Sequence, residues 1–553
     1  MSNQDIVFGI DLGTTYSCIA YVDEYGKAIV IPNSEGDYTT PSVIQFDGEQ
    51  RIIGREAKSN AVLDASKVVE MVKRQMGDAN WRFYYNDTDY APEEISSYIL
   101  RKLKDDAELY LDQPVNNVVI TCPAYFGIAQ RNATVKAGEL AGLNVREVIN
   151  EPTAAAITYG LQEERDQTVL VYDLGGGTFD VTVIEIKGGD IRVIATGGDH
   201  NLGGRNWDER LVNHLADQWV FETQSSEHPT ESEETLQDLW SRSEEAKKAL
   251  TARMETKVVI AHAGKRLGLT VTRDTFNELT EDLLDRTIEF TKMTLEQASL
   301  RGYEQCDQIL LVGGSTRMPQ VEARLKAEFA IPQRLFDPEQ AVAKGAASYG
   351  YKLRLDEMMA TTLSTLTGTP AEEVRIDDLD QTLIKQAVRQ IADDEGLLIG
   401  SVQKAVEMTV TNVASHSFGI IAVDSKSKQD IISNIVQAND PIPVRKMKNY
   451  WTLEQGQINV NIQIVENNVA ASRVEDVNQG QIIGDAVLHL PAGLPEHTIL
   501  EVTFDLQRDG RLHVHGTEPG SRAAIEADIE TSSGITDEEY QAAKLRSSRI
   551  AVS

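Results

Sequence analysis

The chain has 553 residues, of which 41% are hydrophobic and 25% charged, and its formal net charge is −33. That length exceeds a single hydrophobic core and implies two to four domains of ordinary globular composition. The acidity argues against nucleic acid or an anionic membrane as partner, because a phosphate backbone is met by clustered Lys and Arg. Cys18, Cys122 and Cys306 are scattered and form no C-x-x-C pair. They read as buried free thiols, with no disulfide framework or structural zinc expected. Met1–Asp5 leads straight into the apolar stretch Ile6–Ile10, with no basic or long apolar leader, and no run of about 18 apolar residues follows anywhere. A cytoplasmic chain is therefore expected.

In chain order, the first predicted strand is Ile6–Ile10. It ends in the turn Asp11-Leu12-Gly13-Thr14-Thr15, and a second strand follows at Cys18–Val22. Val118–Thr121 reads as a strand, and Ala129–Ala141 as a helix with Gly142 just past its end. The opening pattern then recurs about 160 residues on. Val169–Tyr172 leads into Asp173-Leu174-Gly175-Gly176-Gly177-Thr178, and Val181–Ile186 follows. A strand–turn–strand unit repeated in this way predicts two similar lobes facing one another. Ile309–Val312 is a strand ending in Gly313-Gly314-Ser315-Thr316, and a helix with Pro319 in its first turn comes next. The alternation to about residue 355 is α/β.

Residues 356–400 change character and read as an acidic helical connector. Thr369-Pro370-Ala371-Glu372 supplies a helix start, and Leu383, Ala387, Val388 and Ile391 form one apolar face. From about 405 the period becomes two. Ile458, Val460, Ile462 and Ile464 alternate with polar residues, and Asp509-Gly510 sits between the alternating runs 499–504 and 512–514 as a hairpin signal. An antiparallel β-domain is predicted to end near 532. The tail from Thr536 starts like a capped helix. The expected boundaries are 1–355, 356–404, 405–535 and 536–553.

The paired turns carry the chemistry. Glycine lets backbone N–H groups approach a phosphate chain closely. The hydroxyls of Thr14, Thr15 and Thr178 can donate to phosphate oxygens, and Asp11 and Asp173 at the strand ends can hold Mg²⁺ through water. Two such turns opposed would clamp the β- and γ-phosphates of one nucleotide. No G-x-x-x-x-G-K-[ST] stretch occurs, which excludes a P-loop.

Five segments resemble, in order, those of the DnaK-type seventy-kilodalton heat-shock chaperones: 9–15, Pro123–Phe126 with Gln130-Arg131, Asn150–Ala156, Asp173–Asp180 and Val312–Pro319. The resemblance runs over residues 5–354 and implies an actin-like ATPase domain of two lobes. It assigns Lys73, Glu151, Asp173 and Thr178 to catalysis. Lys73 would stabilise charge on the γ-phosphate and orient the attacking water. Asp11, Tyr16, Thr178 and Asp180 resemble the surroundings of a monovalent cation such as K⁺. Gly13, Thr14, Thr15, Tyr16, Gly175, Gly176, Gly177, Gly203, Gly204, Gly313, Gly314, Ser315, Arg317 and Glu339 would complete a pocket for ATP or ADP. Glu244, Lys247, Lys248 and Thr251 would hold base and ribose. Lys248 stands where the family has Arg and Glu339 where it has Asp, so nucleotide affinity is expected to shift. Pro123 and Arg131 resemble a proline switch and an arginine relay to the second domain.

Residues 409–535 resemble the family's peptide-binding β-sandwich more loosely, through Leu500–Asp505, Asp509–Val514 and Ser532–Thr536. That alignment puts Val460 and Ile462 at a hydrophobic pocket, Ile420 and Val423 on the opposing loop and Leu453 at an arch over the peptide. Three departures stand out. The stretch aligned with the family's apolar linker is Met408-Thr409-Val410-Thr411-Asn412, and its polarity is expected to weaken docking on the ATPase domain. The connector 356–400 lies outside the family pattern, and its apolar face is a candidate substitute for that contact. The sequence stops where the family's helical lid begins, and a groove without a lid is expected to exchange peptide quickly. The implied function is an ATP-driven chaperone for extended apolar segments, with a J-domain co-chaperone and a nucleotide exchange factor as partners and no nucleic acid or membrane. The alternatives are a chaperone-like ATPase whose β-domain docks one specific protein, and an actin-fold small-molecule kinase.

Overall fold

A computed structural model describes residues 6–163, 165–371, 374, 379–508, 510–529, 534–547 and 549–553. Met1–Asp5, Glu372, Asp509 and Ser532-Ser533, used above, lie outside the described residues. Two sheets of matching topology dominate the first 350 residues. In the first, β1 (Val7–Asp11), β2 (Tyr16–Val22) and β3 (Ala28–Ile31) form an antiparallel meander. Strands β6 (Asn117–Cys122) and β7 (Asn144–Asn150) add parallel to β1 on its other side. In the second sheet β8 (Gln167–Leu174), β9 (Phe179–Lys187) and β10 (Asp190–Asp199) repeat the meander. Here β11 (Gln308–Val312) and β12 (Gln333–Leu335) are the parallel additions. The central parallel strands β6 and β11 are buried almost throughout, which is why they read as apolar runs.

Helices α3 (Glu151–Gln162) and α7 (Ala341–Thr367) pack between the sheets. Two glycines make this possible by close approach. A Cβ on Gly9 of β1 would lie 2.0 Å from the Ala347 nitrogen, and one on Gly345 would lie 1.7 Å from the Ala154 carbonyl oxygen. Helix α7 is continuous through residue 355, where the sequence suggested a boundary. Its C-terminal half, α8 (Gln381–Glu395) and α9 (Ile399–Glu407) form the predicted connector. Helix α8 is capped by Asp380, and the start expected at Thr369-Pro370-Ala371-Glu372 runs into residues outside the described ones. Ala387, Val388, Ile391, Val402 and Ala405 bury against α7 and the β2–β3 face of the first sheet.

The polar stretch after the connector is paired with the ATPase domain through its main chain. Thr409–Val413 is strand β13, and it extends the second sheet beside β10 with Asp190 opposite Thr409, Ile191 opposite Val410 and Arg192 opposite Thr411. Ladder pairing uses main-chain groups, which every non-proline residue carries, so leucines are not required. Met408 and Val413 at its ends are buried in the core shared by the two sheets.

The remainder is a β-sandwich. One sheet has the order β19 (Arg473–Val474), β15 (Asp430–Val436), β14 (Ser417–Val423), β18 (Asn459–Asn467), β20 (Gly480–His489). The other has the order β17 (Val444–Trp451), β21 (Ile499–Leu506), β22 (Leu512–Glu518), β23 (Ala523–Ile529). The two-residue strand β16 (Pro441–Ile442) joins the sandwich to β13. The tail does form the capped helix α10 (Asp537–Ser547), where Thr536 and Glu539 cap each other reciprocally. It then forms β24 (Ala551–Val552), which no sequence signal marked. Strand β24 pairs with β5 (Gln50–Ile53), which pairs in turn with β4 (Ile44–Asp47). Cys18 and Cys122 are buried as expected, whereas Cys306 is only half-buried. Among the described residues, no helix is long and apolar enough to cross a membrane.

Because Gly9 and Gly345 face backbone atoms that cannot rotate away, Gly9→Ala and Gly345→Ala should each destabilise the protein. Overpacking predicts a loss of about 1–3 kcal/mol, measured as a lower urea midpoint at unchanged slope.

Candidate functional site: a phosphate-binding cleft between two lobes

The two Gly-Thr turns meet face to face. A Cβ on Gly176 would lie 2.4 Å from the Thr15 side chain, and one on Gly177 would lie 2.3 Å from that of Thr14. Gly203 packs as closely on the backbone of Gly177, and the Gly204 and Arg205 amides donate to the carbonyls of Gly175 and Gly176. The Ser315 hydroxyl donates to the Gly175 carbonyl at 2.9 Å. Together these contacts line a cleft of about 550 Å³ between the lobes.

Of the residues singled out in sequence, Asp11, Gly13, Thr14, Thr15, Tyr16, Lys73, Glu151, Asp173, Gly175, Gly176, Thr178, Glu244, Lys247, Lys248, Thr251, Gly313, Gly314, Ser315, Arg317 and Glu339 line this cleft. Gly177, Gly203, Gly204 and Asp180 lie behind its wall. Lys58, Glu70, Arg205 and Asp208 also line it, and sequence reasoning missed them. Arg205 directly follows Gly203-Gly204, and Glu70 lies three residues before Lys73, so proximity to motifs was a usable signal for these two. Lys58 carried none.

The floor is a concentration of carboxylates. Lys73 donates to Glu151, and the Thr121 hydroxyl donates to Asp11 at 3.3 Å. Burial, with Glu151 adding to it, pushes Asp11 up to about 7. Burial raises Asp173 well above the carboxylate range and Asp180 to about 8. For Lys73, burial alone would favour the neutral amine, but Glu151 and Asp11 outweigh it and its pKa is raised. One Asp180 oxygen is buried without a hydrogen-bond partner. Among the described residues no three carboxylate, His or Cys side chains are close enough to share an ion directly. An all-oxygen set of this kind suits a hard cation held through water.

At the outer end of the cleft, Lys58 and Lys248 each reach Glu244 at 2.6 Å. Burial would raise the Glu244 pKa, but the two ammoniums hold it down to about 2. Glu244 lies just past the middle of α5 (Glu233–Ala252). Lys248 also donates to the Tyr16 hydroxyl at 3.2 Å, and Lys247 donates to Asp208 and to the Gly204 carbonyl. Arg317 approaches Glu339 at 3.4 Å.

In the sandwich, Ile420 and Ile462 are buried in the core, Val460 is half-buried, and Val423 and Leu453 are exposed. The ladder between β14 and β18 runs from Ser417 opposite Asn467 to Ile420 opposite Ile464 and stops there. Yet β14 continues along β15 to Val423, and β18 continues along β20 back to Asn459. The facing edges beyond Ile420 are therefore unpaired with each other among the described residues.

A short segment joins the cleft to the sandwich. Thr121 bonds Asp11, and the Tyr125 amide donates to Asp180 at 3.3 Å. Pro123 lies between them and accepts the Phe126 amide. The Tyr125 ring packs on His416, at 4.9 Å between centroids. Ile128, at the start of α2 (Ile128–Leu140), enters the sandwich core. Arg131 donates to the Phe126 carbonyl and to Asn150, and a Cβ on Gly510 would lie 3.2 Å from its stem. On the sandwich side of this interface, His416 Nδ1 lies 3.2 Å from Glu466 Oε1.

A nucleotide-sized cleft between duplicated α/β lobes, docked on a β-sandwich, defines a two-lobed ATPase with an appended binding module. Comparison with known proteins agrees. The family model described as Hsp70 protein matches residues 7–83, 77–357 and 375–551. The chain is 37% identical over 546 residues to the chaperone protein DnaK of Halobacterium salinarum, covering 96% of this chain and 76% of that one. It is 37% identical over 528 residues to the chaperone protein DnaK of Thermotoga neapolitana, covering 94% and 79%. The chain belongs to the Hsp70 family.

The buried His416–Glu466 contact yields a prediction for docking. Burial, with Arg131 adding to it, lowers His416 to about 3. Burial raises Glu466 to about 7. Undocking exposes both groups and returns them toward 6.5 and 4.5. The Glu466 contribution to docking is full below pH 4.5 and is lost as pH rises to about 7. The His416 contribution is full above pH 6.5 and is lost as pH falls toward 3. Between these limits the slopes oppose and cancel, so wild-type docking should be nearly flat from about pH 5 to 6.5. Glu466→Gln should leave the His416 slope alone. Docking, read as protease resistance of residues 412–416, should then weaken by up to about tenfold per pH unit below 6.5. An equally flat profile in the variant would show that His416 keeps its protonation state on undocking.

Proposed function

We propose that the cleft binds and hydrolyses Mg·ATP, and that this drives an ATP-dependent chaperone which holds extended apolar segments of other proteins. The observation that carries the reading is the contact between the two glycine turns over a floor of buried carboxylates. The turns present backbone N–H groups and the Thr14, Thr15 and Thr178 hydroxyls to a phosphate chain from opposite sides. Asp11 and Asp173 are the residues that would hold Mg²⁺ there. With Tyr16 and Thr178, the orphaned oxygen of Asp180 fits K⁺. The metal would neutralise phosphate charge.

The chain's own groups position the rest. Lys73 is held by Glu151 and places a fixed positive charge where the γ-phosphate ends. Glu151 accepts a hydrogen bond from the attacking water. That water's oxygen bonds to the γ-phosphorus as the bond to the bridging oxygen breaks, leaving ADP and phosphate. Glu244, Lys247, Lys248 and Thr251 hold ribose and base, with Gly313, Gly314, Ser315, Arg317 and Glu339 opposite.

Client binding is assigned to the gap between β14 and β18. There an extended peptide can add as a strand, with Val423, Leu453, Val460 and the rim of Ile420 and Ile462 receiving its side chains. Pro123 and Arg131, in the segment that touches both the cleft and the sandwich, relay the nucleotide state. A J-domain co-chaperone and an exchange factor are the partners this cycle needs, and its free thiols fit a reducing compartment such as the cytoplasm. The family match extends over 375–551. A small-molecule kinase has no use for that module, which disfavours the kinase reading.

Lys73→Ala and Thr178→Ala should each lower turnover by at least about a hundredfold while a fluorescent ATP analogue still binds. Normal hydrolysis in Lys73→Ala would overturn its role. Fluorescence anisotropy of an apolar peptide should show faster release with ATP than with ADP. Identical affinity and off-rate in both would refute nucleotide control of the sandwich.

A further inference from the structure

We infer that Arg205 is a further phosphate-contact residue, whose guanidinium takes the terminal phosphate of bound ATP and so sets the preference of the cleft for a triphosphate over a diphosphate. This rests on the nucleotide-binding reading above and deepens it. The other cationic side chains that line the cleft are already committed. Lys73 donates to Glu151, and Lys247 donates to Asp208 and the Gly204 carbonyl. Lys58 and Lys248 pair with Glu244, and Arg317 donates to Glu339. Arg205 differs. Its guanidinium faces Glu70 of the first lobe as an ion pair at 3.5 Å, and among the described residues the side chain donates no hydrogen bond. Arginine offers donors and no acceptor, so only an anion or an oxygen acceptor can satisfy it. The side chain is 22% exposed and lines the cleft, where those unused donors are available to a ligand.

The guanidinium is held ready for that contact. It lies over the Trp240 ring of α5, 3.5 Å from the centroid, which occupies one of its faces and leaves the N–H groups at its rim free. The Arg205 amide donates to the Gly176 carbonyl at 2.8 Å, so the side chain starts from the second glycine turn. Glu70 stands three residues before Lys73 on the other wall, which puts the pair at the phosphate end of the cleft. Arg74 lies beside Arg205 but is spent, since it donates to the Gly177 carbonyl and to Asn206, both at 2.9 Å. Burial, and after it the charge of Arg205, pulls Arg74 down to about 10, with Glu209 and Asp199 offsetting this only in part. Positive charge is therefore in excess beside the second turn. The terminal phosphate is the anion that the two turns bring there. Glu70 steadies Arg205 in its absence, and the planar fork exchanges that single carboxylate contact for bidentate contact with phosphate oxygens.

The test is the ratio of Mg·ATP to Mg·ADP affinity, each read by displacement of a fluorescent ADP analogue. Binding of that analogue to the wild type tests the nucleotide reading separately, and its absence would end both readings. Arg205→Gln removes the charge. It should weaken Mg·ATP by about tenfold, the loss of one charged hydrogen-bond contact, while Mg·ADP changes by less than about twofold. A ratio that is unchanged in Arg205→Gln overturns the assignment, whether both nucleotides weaken or neither does. Glu70→Gln removes the carboxylate that competes with phosphate. It should raise the ratio by about threefold, and the gain should vanish when Arg205→Gln is added. A pair that only joined the lobes would lose affinity for both nucleotides alike. Should Arg205→Gln fail to fold, Glu70→Gln decides, and a ratio that does not rise there overturns the assignment.

Discussion

The structure depends on a buried excess of negative charge. Asp11, Asp173 and Glu151 converge on the cleft floor with Lys73 as the ammonium among them, and Asp180 is buried behind it. Ionised carboxylates taken out of water are costly unless matched by a cation. The raised pKa values of the three aspartates follow from that burial. Duplicated sheets, central helices and close-packed glycines all serve to hold these groups on opposing walls.

The same sheet that ends in Asp173 also carries the connection to the sandwich. Strand β13 continues the order β12-β11-β8-β9-β10, so the linker belongs to the fabric of the second lobe. The C-terminal segment makes a second junction on the first lobe. Arg546 pairs with the fully buried Glu94, and Ile550 enters the lobe core. The sandwich is thereby joined to both lobes, and Tyr125 and Ile128 enter its interface with them.

Motifs close in sequence were legible without coordinates. The repeated strand–turn–strand unit, the strand at Ile309–Val312 and the helix after Gly313-Gly314 all appear where expected, because local periodicity and glycine spacing encode them. Lys58 was invisible, since nothing local distinguishes it from a surface lysine until α5 brings Glu244 within 2.6 Å. The domain boundary expected at 355 falls inside α7: the composition changes there, but the helix runs on because Met359 and Leu363 continue to pack on β2, β3 and α8.

By itself the sequence determined the two-lobed α/β plan, the phosphate-binding turns and the alternating pattern of the sandwich, all of which rest on spacings of a few residues. The tertiary structure alone decided that a polar linker docks, that β14 and β18 part beyond Ile420, and that the tail adds a strand to the first lobe. Each of these depends on main-chain pairing between segments far apart in the chain, and the backbone offers the same donors and acceptors whatever the side chain.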